Sequence, residues 1–280
     1  MAAGTDLLKQ RIEQVTAGKK ADIGVGIAGF SDKDTLIINN KHFPLQSVFK
    51  FHIALAVLNE VDKGKLALNQ EILIKKTDLL ADTWSPLRDE YPKGNVKLPL
   101  AKLLSYTVSK SDNNGCDILL RLIGGPKTVE NYIHSVGIKG VAIAVNEEEM
   151  HQEWNIQFKN MTTPEAAAKL LKAFNNRKFL SQKSYDFLWK IMVETSTGTD
   201  RIKGGLPVGT IVGHKTGTSD TNKQGVTAAI NDIGIVKLPN GKYFTISVFV
   251  SNTKENAKTN AKIIADISKL SWAYFTGKLK

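Results

Sequence analysis

The sequence predicts a mixed α/β fold of the α+β type, with sheet at both chain ends and helices between. Three observations carry this. Strand-like runs lie near the start, at Ile23 to Phe30 and Thr35 to Asn39, and return from Gly209 onward. The middle of the chain has apolar residues on a helical period. A turn-forming Leu238-Pro239-Asn240-Gly241 separates two late apolar runs, as in a hairpin.

Taken in order, Thr5 to Gln14 reads as a polar N-terminal helix. Val48 to Val61 is apolar at helical spacing, and Gly64 ends it. Pro99 suits a first-turn position, and LAKLLSYTVS continues from it. That helix stops at Lys110-Ser111-Asp112-Asn113-Asn114, a run rich in turn formers. Cys116 to Ile123 reads as the next helix, closed by Gly124-Gly125-Pro126. Thr163-Pro164-Glu165 opens a helix running through Phe174, and Ser181 caps another through Val193. Gly209 to Thr218 is β-branched and strand-like, and Asn256 to Phe275 closes the chain as a helix. Residues 1–43 and 194–280 are therefore expected to form one discontinuous sheet domain. Residues 44–193 form a helical domain, and the cleft between them is where a site would lie.

Ser47 precedes the first apolar helix, at its N-cap or first turn. Lys50 lies three residues on, so both side chains share a face. A serine hydroxyl needs a base to become a good nucleophile, and a lysine in a dry pocket can supply one. Ser111 and Asn113 fall on the expected loop between helices, able to face a cleft. Lys215, Thr216 and Thr218 on the late strand offer a cation and two hydroxyls to a carboxylate, and Gly217 permits close backbone approach. Taken singly these words read as a helix cap, a polar turn and a guarded edge strand.

Together, Ser47-Val48-Phe49-Lys50, Ser111-Asp112-Asn113 and Lys215-Thr216-Gly217 make the S-x-x-K, S-D-N and K-T-G set of class A β-lactamases and penicillin-binding proteins. Over nearly its full length the chain resembles a class A serine β-lactamase. The resemblance implies that family's fold, an antiparallel sheet flanked by helices plus an inserted all-helical domain. It implies Ser47 as the acylated nucleophile and Lys50 as its partner. Ser111 would relay a proton to the departing lactam nitrogen, and Asn113 would hold the substrate's side-chain amide. Lys215 and Thr216 would hold its carboxylate. The backbone N–H groups of Ser47 and Thr218 would form the oxyanion hole. Trp84 matches the aromatic gatepost at the cleft mouth, and Arg201, fourteen residues before Lys215, matches an auxiliary carboxylate anchor.

Deacylation needs a second base. Aligning Met150-His151 with the family's Leu-Asn makes Glu147 that base and His151 the second holder of the water. Glu148 takes the role if the loop register moves by one. The histidine departs from the usual asparagine and resembles the PER-like extended-spectrum branch. As a plain sequence, Glu147-Glu148-Glu149 is also what a solvated acidic turn looks like.

Composition agrees. The 280 residues are 42% hydrophobic with a formal charge of +11, which suits anionic substrates. Nucleic acid is disfavoured, because no aromatic-basic motif, zinc finger or basic recognition helix is found. The five histidines lack metal spacing, and no cofactor is expected. A single cysteine, Cys116, cannot form an intrachain disulfide. No apolar run approaches the roughly 20 residues of a membrane span. Enzymes of this family work outside the inner membrane, so Met1-Ala2-Ala3-Gly4 reads as an added start on a mature periplasmic chain, expected to be monomeric. The expected reaction is β-lactam hydrolysis through a serine acyl-enzyme. The alternatives are a soluble penicillin-binding D,D-peptidase, a non-hydrolysing β-lactam sensor and, last, a nucleic-acid-binding module.

Overall fold

The computed structural model describes residues 5–280, so the expected added start at residues 1–4 lies outside the described residues. The chain opens with α1 (Thr5–Thr16), β1 (Asp22–Ala28), β2 (Thr35–Ile38) and the short β3 (Phe43–Pro44). Next come α2 (Phe49–Asp62), β4 (Glu71–Ile74), α3 (Pro86–Glu90), β5 (Val96–Pro99), α4 (Leu100–Ser109), α5 (Asn113–Ile123) and α6 (Pro126–Ser135). Then follow β6 (Val141–Ala142), α7 (Glu147–Met150), β7 (Met161–Thr162), α8 (Pro164–Asn175) and α9 (Gln182–Val193). The chain returns to sheet with β8 (Val212–Thr218), β9 (Thr227–Lys237) and β10 (Tyr243–Thr253), and ends on α10 (Ala257–Phe275).

Five strands pair antiparallel in the order β2-β1-β10-β9-β8, which leaves the motif strand β8 at an open edge. The turn at 238–241 joins β9 to β10, closed by a Leu238 N–H to Lys242 carbonyl bond of 2.8 Å. Alternation along β9 sends Ile233 and Ile235 to one face, and Ile230 and Val236 to the other. On the second face Leu8 and Ile12 of α1 and Ile263, Ile264 and Ile267 of α10 cover Val25, Ile27, Ile246 and Val248. The first face continues into the core of the helical segment, whose centre is α2. Every residue from Phe49 to Leu58 is buried there. A helix wrapped by apolar contacts on all sides is held by its surroundings more than by its own propensity.

Local chemistry sets the helix starts. Thr163, Ser181 and Asn256 cap α8, α9 and α10 by accepting the backbone N–H of Ala166, Ser184 and Thr259. Three expectations need correction. Ser47 is not the N-cap of α2; it lies in a 3₁₀ turn, Gln46–Val48, that runs into the helix. Asn113 is not on a loop; it is the first residue of α5, with Asp112 as the cap. The inserted segment is not helical throughout, since β4 pairs with β5, and β7 pairs with both β3 and β6.

Candidate active site

A cleft of about 670 Å³ opens where the edge strand β8 meets the helical segment, lined by Ser47, Trp84, Ser111, Asn113, Glu147 and Thr216 among others. At its floor the Lys50 ammonium is fully buried. Lys50 Nζ lies 2.8 Å from Ser47 Oγ, 2.9 Å from the Ser111 carbonyl and 2.8 Å from Glu147 Oε1, and it also reaches Asn113 Oδ1. Three N–H bonds face four acceptors, so the ammonium is fully satisfied despite its burial. Glu147 is itself only 4% exposed, which makes this a buried ion pair. Removing either partner leaves an uncompensated charge. Ser47 Oγ lies 3.4 Å from Glu147 Oε1, so hydroxyl, ammonium and carboxylate share one corner.

Ser111 connects the two lysines. Its carbonyl accepts from Lys50, and its hydroxyl accepts from Lys215 Nζ at 2.9 Å. Holding both contacts requires a left-handed backbone, φ +59°, unusual for serine and of the kind found at functional sites. The neighbouring Asp112 carboxylate fixes the turn by accepting the N–H of Leu87 and Gly115 and the Ser85 hydroxyl. Burial pushes its carboxyl above the ordinary range, against those hydrogen bonds. Lys215 is fully buried, and desolvation first, then the nearby Lys50, lowers its ammonium well below the ordinary lysine range.

The strand carries the rest of that wall. Ser219 N–H pairs with Ala229 carbonyl across to β9, so alternation turns the Thr218 N–H toward the open edge and the cleft. A Cβ at Gly217 would lie 2.5 Å from the Leu45 carbonyl, so only glycine lets the strand and the Ser47 turn approach this closely. Asn231 on β9 donates to the Pro44 carbonyl at 2.7 Å, tying the sheet to the same turn. Arg201 lies behind the strand. Its guanidinium donates to the Gly217 and Asn231 carbonyls and to Thr218 Oγ1, at 3.0, 2.8 and 2.6 Å.

On the opposite side, Trp84 is 61% exposed at the rim, and its indole N–H donates to the Lys110 carbonyl. Asn113 Nδ2 donates to Thr83 Oγ1 at 2.7 Å, which fixes its amide orientation. Glu148 and Glu149 are exposed while Glu147 is buried, so the loop turns only Glu147 inward. Glu149 is engaged locally, closing a capping box with Asn146. His151 Nδ1 lies 2.6 Å from the Glu147 carbonyl. A carbonyl only accepts, so Nδ1 carries a proton, and Nε2 is the ring nitrogen left to face the cleft side.

The structure thus gathers Ser47, Lys50, Ser111, Asn113, Glu147, Lys215, Thr216, Gly217 and Thr218 about one cleft, with Trp84 and His151 at its rim and Arg201 behind the strand. Sequence reasoning missed the supports of the loop. Asp117 accepts the backbone N–H of Glu147 at 2.8 Å and of Glu148 at 3.0 Å. It lies four residues after Asn113 on α5, so helical spacing was its one available signal. Burial pushes its carboxyl up to about 6. Asn160, fully buried, accepts from the Ala144 and Val145 N–H groups, and its carbonyl accepts from Leu45 N–H. No local pattern marks that residue.

With this geometry in view, comparison with known proteins places the chain. A family profile described as the β-lactamase enzyme family matches residues 7–275, and the chain belongs to that family. It is a class A β-lactamase, an enzyme that hydrolyses β-lactams. The chain is 53% identical to β-lactamase VEB-1 of Pseudomonas aeruginosa, covering 99% of this chain and 93% of that protein. It is 45% identical to extended-spectrum β-lactamase PER-1 of the same organism, covering 99% and 90%. The crystal structure of TLA-1 extended-spectrum β-lactamase superposes with a TM-score of 0.95 at 52% identity, covering 97% of this chain and 99% of that one. Among the described residues no helix is long and apolar enough to cross a membrane.

Proposed function

We propose that hydrolysis runs through an acyl-enzyme on Ser47, with each site residue in the role its position suits. Ser47 Oγ attacks the lactam carbonyl carbon, and the C–N bond breaks. Its proton passes by way of Lys50 to Ser111, which, polarised by Lys215, gives its own proton to the departing nitrogen. Lys50, Glu147 and Ser111 thus end acylation in the protonation states in which they began it. The N–H groups of Ser47 and Thr218 hold the oxyanion that forms on the way. Asn113 takes the side-chain amide, Trp84 flanks it, and Lys215 and Thr216 anchor the carboxylate, with Arg201 supporting that wall from behind the strand through Thr218. In the second half, Glu147 removes a proton from a water that His151 Nε2 helps hold. The water oxygen bonds to the ester carbon, and Ser47 leaves with its proton restored.

The observation that supports this best is Lys50 Nζ standing 2.8 Å from both Ser47 Oγ and Glu147 Oε1. One buried cation thus couples the nucleophile to the second base. The substrates in this reading are penicillins and an extended spectrum of cephalosporins, by analogy with the relatives named for that property. The chain works as a monomer in the periplasm, and the cycle uses side chains and backbone alone. The test is Glu147→Gln followed by mass spectrometry of the intact protein. Acylation stays fast while hydrolysis falls by about 10²–10⁴-fold, the usual worth of general-base assistance, so the adduct accumulates. Ser47→Ala abolishes the adduct. An adduct mapped to Ser111, or no accumulation in Glu147→Gln, refutes the assignment.

A further inference from the structure

Thr197 stands outside the three motif words, yet its hydroxyl lines the cleft and lies 2.6 Å from the Thr216 hydroxyl. We propose that Thr197 is a positioning residue for substrate carboxylate binding, holding the Thr216 hydroxyl so that its proton faces the cleft. The inference rests on the reading of Lys215 and Thr216 as the carboxylate anchor.

A hydroxyl has one proton and two lone pairs. Between two hydroxyls in contact one proton is shared, and the other stays free on whichever oxygen accepts. A carboxylate only accepts, so one lying against β8 selects the arrangement in which Thr197 donates and Thr216 keeps its proton for the ligand. The adjoining hydroxyl on the same strand face is treated alike. Thr218 Oγ1 accepts from Arg201 Nη2 at 2.6 Å, which leaves the Thr218 proton free. Thr216 and Thr218 are two residues apart, so their side chains share a face. The segment from Thr197 to Arg201 thus supplies a donor to each and turns two ambivalent hydroxyls into donors.

The close approach this needs is built into the backbone. Gly198 has φ +61°, and a Cβ there would lie 2.6 Å from Thr216 Cγ2. A side chain at this position would push Thr197 away from the strand, and a non-glycine residue would resist the dihedral. Arg201 N–H bonds the Gly198 carbonyl at 3.0 Å, so both donors sit on one tight turn.

Thr197→Val keeps the shape and removes the hydroxyl. A lost neutral hydrogen bond of this kind corresponds to about a 3- to 10-fold fall, read as kcat/KM on a β-lactam with a free carboxylate. The methyl ester of the same β-lactam, a neutral and weaker acceptor, serves as the control, and its kcat/KM falls less than the acid's. Thr197→Ser restores the acid's rate. In a double-mutant cycle, Thr197→Val adds little once Thr216→Val is present, because both act on one contact. Equal losses on acid and ester, or full additivity with Thr216→Val, overturn the inference and leave the carboxylate anchor standing. The same holds if Thr197→Val has no effect while Thr216→Val impairs the acid. If Thr216→Val itself spares the acid, the anchor reading falls, and this inference falls with it.

Discussion

Acid should weaken this protein through a histidine that plays no part in the chemistry. His52 lies on α2 two residues after Lys50, fully buried, and both its ring nitrogens lack a hydrogen-bond partner. Its ring meets Phe51 edge-on at 5.9 Å between centroids. Burial lowers its pKa from 6.5 to about 4, and the Val48 carbonyl one turn back opposes this only in part. The folded protein therefore holds the neutral ring, while the unfolded chain takes up a proton near pH 6.5. Stability from this residue is complete above that pH. It is lost progressively as the pH falls toward 4, and is level below. At 1.36 kcal/mol per pKa unit, the loss between pH 7 and pH 4 is about 3 kcal/mol. That is a large share of the 5–15 kcal/mol typical of folded domains. His52→Leu keeps an apolar side chain of similar size and removes the titration. Urea unfolding of both proteins between pH 7 and 4 should show the wild type falling relative to the variant by that amount, with equal m-values. Parallel stability curves would refute the reasoning, whatever the absolute stability of His52→Leu.

Three further outcomes concern the site. Lys215→Ala should lower kcat/KM by about 10- to 150-fold, the range of charge-assisted contacts, and by more than Arg201→Ala. The arginine variant should also melt earlier, because its guanidinium holds the Gly217 and Asn231 carbonyls; thermal melts beside steady-state kinetics separate the two effects. Glu148→Gln and Glu149→Gln should hydrolyse β-lactams almost as the wild type, since both side chains are exposed. An acyl-enzyme trapped by Glu148→Gln and not by Glu147→Gln would move the base by one residue. Asp117→Ala leaves two backbone N–H groups without their acceptor, a loss of about 1–3 kcal/mol each when buried. The resulting loop disorder should slow deacylation more than acylation, seen as steady-state adduct on the intact protein; an unchanged adduct level removes Asp117 from that role.

Local chemistry was readable where a residue acts on its own neighbourhood. Thr163, Ser181 and Asn256 announce helix starts because the atoms they cap lie three residues away. Ser47 and Lys50 are one turn apart, so their pairing is already a local fact. The exposed position of Trp84 follows no such rule and came only with the family pattern. The two-residue strands β3, β6 and β7 have no period to detect, and they exist because neighbouring backbone meets them. Asn113 reads as loop because Ser111-Asp112-Asn113-Asn114 is rich in turn formers, yet the Asp112 cap starts α5 at once. Asn160 and Thr197 gain their partners from other segments, beyond the reach of any helical or strand period. Asp117 lies between these cases, with its position on the Asn113 face visible and its bonds to the base loop not.

The sheet order has a consequence for the growing chain. β1 pairs with β2 on one side, but its other neighbour is β10, and Ala28 lies 217 residues from its contact Thr245. A newly made β1–β2 hairpin therefore has an unfilled pairing edge until nearly the whole polypeptide exists. Such edges invite pairing with other chains, and distant pairings form slowly. The nucleophile turn and the base loop are both synthesised long before β8, the wall of their cleft. A chain released short of its final strands would carry Ser47 and Glu147 with nothing to close the pocket around them. Both the pairing partner of β1 and the wall of the cleft thus come from the last third of the chain.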